Sequence, residues 1–95
     1  MNEAIKWWRR AAEQNQPTAQ YNLGQALHAG KAVPQDKIEA YKWYTLAAAT
    51  GDRDAAHWKN ELSIEMSPTD IAEALKRASA FKPAREISKV ASNQK

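Results

Sequence analysis

The stretch Asp36–Gly51, DKIEAYKWYTLAAATG, decides the fold because much of its pattern occurs a second time in the chain. Its counterpart is Glu3–Asn15, and matched residues lie 36 positions apart. The pairs are Ala4 and Ala40, Lys6 and Lys42, Trp7 and Trp43, Ala11 and Ala47, Ala12 and Ala48, with an aromatic pair in Trp8 and Tyr44. A period of this length is typical of a solenoid, in which each unit buries its apolar face by stacking on its neighbours.

Apolar spacing and helix-end residues predict five helices, and each has a recognisable boundary. Pro17 suits a first helical turn, Gly30 suits a helix end, and Asp36 can cap the next helix through its carboxylate. Asn15 and Gly51 occupy matching positions and both tolerate the left-handed backbone that closes a helix. The predicted helices cover residues 2–14, 17–29, 36–51, 52–65 and 67–82.

Large rings next to small alanines predict where the core lies. We expect Trp43 to be almost wholly buried, with Trp7 and Trp8 also in core contacts and Trp58 less securely so. Gly24, in the middle of the second helix, should mark a close approach to the third helix, because glycine otherwise weakens a helix. The inward line of the fifth helix is predicted to be Ile71, Ala74, Leu75, Ala78 and Phe81.

Three runs carry a resemblance to a known family: AQYNLG at 19–24, GKAVPQD at 30–36 and AYKWYTLAAATG at 40–51. Together they resemble a Sel-one-like repeat (SLR), a relative of the tetratricopeptide repeat. The resemblance implies an all-α, antiparallel helix-pair solenoid of five to six helices over residues 1–83. Within it, 17–51 is a complete repeat, 3–15 the second helix of an incomplete one, 52–66 a degenerate repeat and 67–82 a capping helix. Residues 84–95 form a basic tail, either a short sixth helix or disordered.

The amino-acid composition excludes several classes of protein. With no cysteine there is no disulfide framework and no thiolate metal cluster. The net charge of +3 is uneven, since residues 76–95 carry +5 and residues 1–75 carry −2. No stretch is apolar and long enough to span a bilayer, so we expect a soluble protein, with the cytoplasm favoured and periplasm or secretion left open.

No pattern of catalytic chemistry is evident. The carboxylates are spread singly, and Asp36, Asp52 and Asp70 are better explained as helix-cap or first-turn residues than as a general acid and base. There is no phosphate-binding glycine loop, no cofactor motif and no metal-ligand motif around His28 or His57. The sequence therefore predicts a non-catalytic protein with no cofactor and no metal.

The resemblance implies an adaptor that binds a protein or peptide along the first helix of each pair. The outward residues there are Tyr21, Gln25, His28, His57 and Glu61. The alternative is a nucleic-acid-binding module that uses the basic residues Lys76, Arg77, Lys82 and Arg85. A further hypothesis is that Ile5 or Trp8 is uncovered if Trp7 packs inward. The chain would then either self-associate through its first helix or be a fragment of a longer array that supplies the missing partner.

Overall fold

A computed structural model gives the structure of the protein, and it describes residues 3–30 and 33–82. Within these residues the chain forms five α-helices and no strand. The helices are α1 (Glu3–Glu13), α2 (Pro17–Ala29), α3 (Lys37–Ala49), α4 (Arg53–Ser63) and α5 (Pro68–Ala80). The all-α architecture of successively packed helices is confirmed, whereas the prediction for residues 84–95 lies outside the described residues.

Side-chain caps start three of the helices where the sequence predicts them. The carboxylate of Asp36 accepts a hydrogen bond of 3.0 Å from the backbone N–H of Glu39. Asp52 accepts one of 3.0 Å from Ala55, and the Ser67 hydroxyl accepts one of 3.1 Å from Asp70. Each cap satisfies a backbone donor that has no partner within its own helix, which fixes the first turn.

Helix ends follow the expected backbone chemistry. Asn15, Gly30 and Gly51 have positive φ values of 68°, 70° and 102°. The N–H of Gly30 also donates a hydrogen bond of 2.9 Å to the carbonyl of Ala26, closing α2. The matched turn positions Asn15 and Gly51 therefore also match in backbone conformation.

Helix α3 is the centre of the fold because it packs against α2, α4 and α5. Its Trp43 is only 1% exposed, which confirms the predicted burial. The ring lies edge-on to Phe81, with centroids 5.5 Å apart, so the contact found is with the residue that follows α5. Tyr44 points to the other side, against α2, where a Cβ added to Gly24 would lie 2.8 Å from the ring. The predicted close approach at Gly24 is confirmed.

The first helix buries a different face from the one expected. Trp7 is 62% exposed, whereas Ile5 is 4% exposed and Trp8 packs partly buried against the core. Ile5, Trp8 and Ala12 are three and four residues apart, so they form one stripe that faces the core. Trp7 lies beside that stripe and turns outward. The prediction that Trp7 packs inward and leaves Ile5 or Trp8 uncovered is therefore wrong.

Two other apolar residues are more exposed than predicted. Leu75 is 43% exposed, since the inward stripe of α5 follows Ile71, Ala74 and Ala78 and leaves Leu75 at its edge. Trp58 is 37% exposed at the outer side of α4.

None of the helices in the described part of the chain is long and apolar enough to cross a lipid bilayer. The compartment stays a prediction.

Candidate protein-interaction site

The five predicted partner-binding residues lie on α2 and α4. Tyr21, Gln25 and His28 follow one another at spacings of four and three along α2, so they share a face of that helix. His57 and Glu61 are four residues apart on α4, and both are exposed. The three residues on α2 are only partly exposed, because α3 and α4 pack beside them.

A row of aromatic rings links these two helices across α3. The Tyr44 ring lies 6.1 Å from those of Tyr21 and His28. The Trp58 ring follows, 6.3 Å from His28 and 5.2 Å from His57. We call Tyr21, Tyr44, His28, Trp58 and His57 the aromatic row. It joins the ring residues of α2 and α4, and the buried Tyr44 ring of α3 connects Tyr21 to the others from beneath.

Hydroxyl groups in the row are held in their neutral form. Burial raises the pKa of Tyr44, and the neighbouring Tyr21 and Glu65 raise it further. Burial also raises the pKa of Tyr21, helped by the carboxylates of Asp54 and Asp52 and opposed by Trp58. The Tyr44 hydroxyl shares a hydrogen bond of 3.3 Å with Nδ1 of His28, which fixes the imidazole ring.

The second imidazole nitrogen of His28 lies close to the carboxylate of Glu65. Nε2 of His28 lies 3.5 Å from Oε1 of Glu65, and Nζ of Lys37 lies 3.4 Å from the same oxygen. Desolvation would raise the pKa of Glu65, but hydrogen bonds from Lys37 and His28 outweigh it and lower that pKa. The carboxylate is therefore ionised at neutral pH and available as an acceptor at the edge of the aromatic row.

Beside the row is a shallow polar depression of about 290 Å³, lined by Gln25, His28, Ala29, Gln35 and Glu65. Nε2 of Gln25 is buried and has no hydrogen-bond partner among residues 3–30 and 33–82. The amide of Gln35 instead donates to the carbonyl of His28 at 2.8 Å. The depression thus presents an ionised acceptor at Glu65 that suits a hydrogen bond from a peptide, whereas the Gln25 donor lies beneath its surface.

Glu61 is exposed on α4, one helical turn after His57. Sequence reasoning missed Tyr44, Trp58 and Glu65 as parts of this surface. Trp58 directly follows His57, which is the only sequence signal that could have placed it here. The contacts of Tyr44 and Glu65 arise from helix packing and have no signal in local spacing.

In the alternative nucleic-acid-binding hypothesis, one of the basic residues is already engaged in ion pairs within the chain. Nη1 of Arg77 lies 2.8 Å from Oε2 of Glu39, and Nε lies 2.9 Å from Oε2 of Glu73. Hydrogen bonds to Glu73 and Glu39 raise the pKa of Arg77. Lys76 and Lys82 are exposed, while Arg85 lies outside the described residues. A phosphate would have to compete with two carboxylates for Arg77.

The comparison with protein families agrees with the sequence pattern. The family model for the Sel1 repeat matches residues 1–16 and 17–52, more than half of the chain. The chain belongs to the Sel1 repeat family. The resemblance to SLR proteins is thereby confirmed. The predicted division of the chain into an incomplete, a complete and a degenerate repeat with a capping helix stays a prediction.

Two curated relatives carry the name chitin synthase regulator SKT5. The protein from Saccharomyces cerevisiae is 41% identical over 54 residues, which are 57% of this chain and 8% of the relative. The protein from Malassezia restricta is 41% identical over 71 residues, which are 74% of this chain and 5% of the relative. The chain thus spans less than a tenth of the length of these relatives. Sel1 repeats generally mediate protein–protein interactions, and both relatives are named as regulators.

Within the described ranges, no group of three or more His, Cys, Asp and Glu side chains is placed to hold a metal ion. His28 and His57 are instead neighbours of Trp58 in the aromatic row. Their recorded contacts are with rings, a hydroxyl and a carboxylate.

Proposed function

We propose that this chain is a non-catalytic interaction module that binds a peptide or protein segment across α2 and α4. The observation that carries the proposal is the aromatic row, which ends in the exposed rings of Trp58 and His57 and borders the polar depression at Gln25 and Glu65. Exposed aromatic residues with polar groups beside them are typical of binding hot spots. The partner residues proposed are Tyr21, Gln25, His28, His57 and Glu61, with Trp58 added.

The bound segment would cover the outer faces of Trp58 and His57 with apolar side chains. Its backbone would donate a hydrogen bond to the carboxylate of Glu65. Because Tyr44 and Lys37 already hold His28 and Glu65 in place, little side-chain entropy would be lost on binding. By analogy with relatives named as regulators, the module would recruit a partner protein and leave the chemistry to it.

The test selects peptides from a random displayed library against the whole chain and maps each by backbone NMR shifts. We expect shifts centred on α2 and α4. Trp58→Ala should weaken binding by about 2 kcal/mol, roughly 30-fold, as expected for an aromatic hot spot. Lys76→Ala, an exposed change on α5, is the matched control and should leave affinity unchanged. Selected peptides that bind Trp58→Ala as tightly as the unaltered chain would refute the proposed surface.

A further inference from the structure

The fifth helix fits into a pocket on α3 formed by Glu39, Lys42 and Trp43, which we call the α3 pocket. Nη1 of Arg77 donates to Oε2 of Glu39 at 2.8 Å, and the Phe81 ring lies edge-on to Trp43 at 5.5 Å. Nζ of Lys42 lies 4.2 Å from the Trp43 centroid and 5.7 Å from that of Phe81. The pocket therefore receives a cation from the last turn of α5 and, four residues later, an aromatic ring from Phe81, the residue that follows the helix.

Helix α1 carries the same three residues at the same period. Glu3, Lys6 and Trp7 lie 36 positions before Glu39, Lys42 and Trp43. With Arg10 they line a depression of about 280 Å³, which we call the α1 pocket. The two pockets share three residue types but differ in solvent exposure, since Trp7 is 62% exposed and Trp43 is 1% exposed.

The rest of the described chain leaves the α1 pocket open. Helix α1 packs mainly on α2, whereas α3 packs on α5 as well as on α2 and α4. Arg10 stands where the period places Leu46, and its guanidinium carbon lies 5.9 Å from the Trp7 ring. The α1 pocket thus combines an acceptor at Glu3, a large apolar ring at Trp7 and a cation at Arg10.

We propose that the α1 pocket binds a helix of a partner protein that carries an arginine in its last turn and is followed, four positions after that arginine, by an aromatic residue. The arginine would pair with Glu3, as Arg77 pairs with Glu39, and the aromatic ring would pack against Trp7, as Phe81 packs against Trp43. A carboxylate on the same helix would meet Arg10, which has no counterpart in the α3 pocket. This surface is separate from the one across α2 and α4, so either can fail without the other.

The experiment uses α5 itself as the probe. A fluorescent peptide of residues 67–82, held helical by a side-chain staple on its solvent face, is titrated with the whole chain. The staple is needed because an isolated helix of this length is marginal in water. We expect saturable binding that Trp7→Ala weakens more than about tenfold, in line with an aromatic anchor. Phe81→Ala in the peptide should weaken it to a similar extent.

A charge exchange tests the predicted orientation. Glu3→Arg should weaken binding of the unaltered peptide, and Arg77→Glu in the peptide should restore it. Trp58→Ala is the matched control and should leave binding unchanged, which separates this result from the test of the proposed function. Since Trp7 and Glu3 are exposed, thermal melts of both variants should match that of the unaltered chain.

Three results would overturn the proposal. One is an absence of binding up to about 1 mM peptide, the weak end of specific association. Another is binding that Trp7→Ala leaves intact, because the peptide would then be displacing α5 from the α3 pocket. The third is a dimer in sedimentation experiments that Trp7→Ala abolishes, which would assign the α1 pocket to a second copy of this chain.

Discussion

Replacing Gly24 by alanine tests the close contact between α2 and α3. The added Cβ would lie 2.8 Å from Cδ1 and Cε1 of Tyr44 and 3.4 Å from the carbonyl oxygen of Ala40. The Tyr44 ring is fully buried between Tyr21 and His28, so it has no free space to move into. Overpacking of this kind costs about 1–3 kcal/mol, against a gain of about 1 kcal/mol in helix propensity. We expect a net loss of about 1 kcal/mol.

Urea denaturation of Gly24→Ala, followed by far-UV circular dichroism, measures that loss as a lower midpoint with an unchanged slope. The matched control repeats the change in a Tyr44→Ala background, where the ring that causes the clash is gone. There the propensity gain should dominate, and Gly24→Ala should stabilise the protein by up to about 1 kcal/mol. A Gly24→Ala protein as stable as the unaltered one, with no coupling to Tyr44, would show that the contact is not tight.

Three further outcomes follow from the core and its charges. Trp43→Ala should lower the unfolding free energy by about 3–5 kcal/mol, because a buried ring is lost, and an unchanged thermal melt would contradict this. The raised pKa of Tyr44 means that the unfolded chain releases the phenol proton first. Stability should therefore fall as pH rises above about 10, by at most about 1.4 kcal/mol per unit for this group, and Tyr44→Phe should flatten the profile. Arg77→Gln should cost about 1 kcal/mol or less, since the side chain is 39% exposed, with the difference shrinking at high salt.

Helix positions were predictable because the signals for them are local. Helix α2 begins at Pro17 and ends before Gly30, as its proline and glycine indicate. Helix α4 ends earlier than predicted, at Ser63, since the backbone tightens there: the N–H of Glu65 donates to the carbonyl of Leu62, three residues back. That tightening leaves no trace in apolar spacing, and so the predicted end at residue 65 was too late.

Burial was predictable only where the neighbouring helix could be inferred. Trp7 and Trp43 are equivalent in the repeat, and the period alone gives no reason to bury one and expose the other. The difference depends on the helix that packs beside each ring. The candidate site has the same limit: spacing along α2 places Tyr21 and His28 on one face, but it does not give the helix crossing that brings Trp58 within 6.3 Å of His28.

The 36-residue period is broken after α4, and this break explains why the α3 pocket is filled within the chain while the similar α1 pocket is not. Helices α2 and α4 begin at Pro17 and Arg53, a full 36 residues apart, whereas α3 and α5 begin at Lys37 and Pro68, only 31 apart. Helix α5 is thus out of register with the repeat. It places the cation of Arg77 in the α3 pocket, and Phe81, the residue that follows it, places the ring there. A substitution in the α3 pocket should therefore change stability, because it removes contacts within the chain. The same substitution 36 residues earlier removes no such contact, so its effect should appear in the affinity for a partner helix.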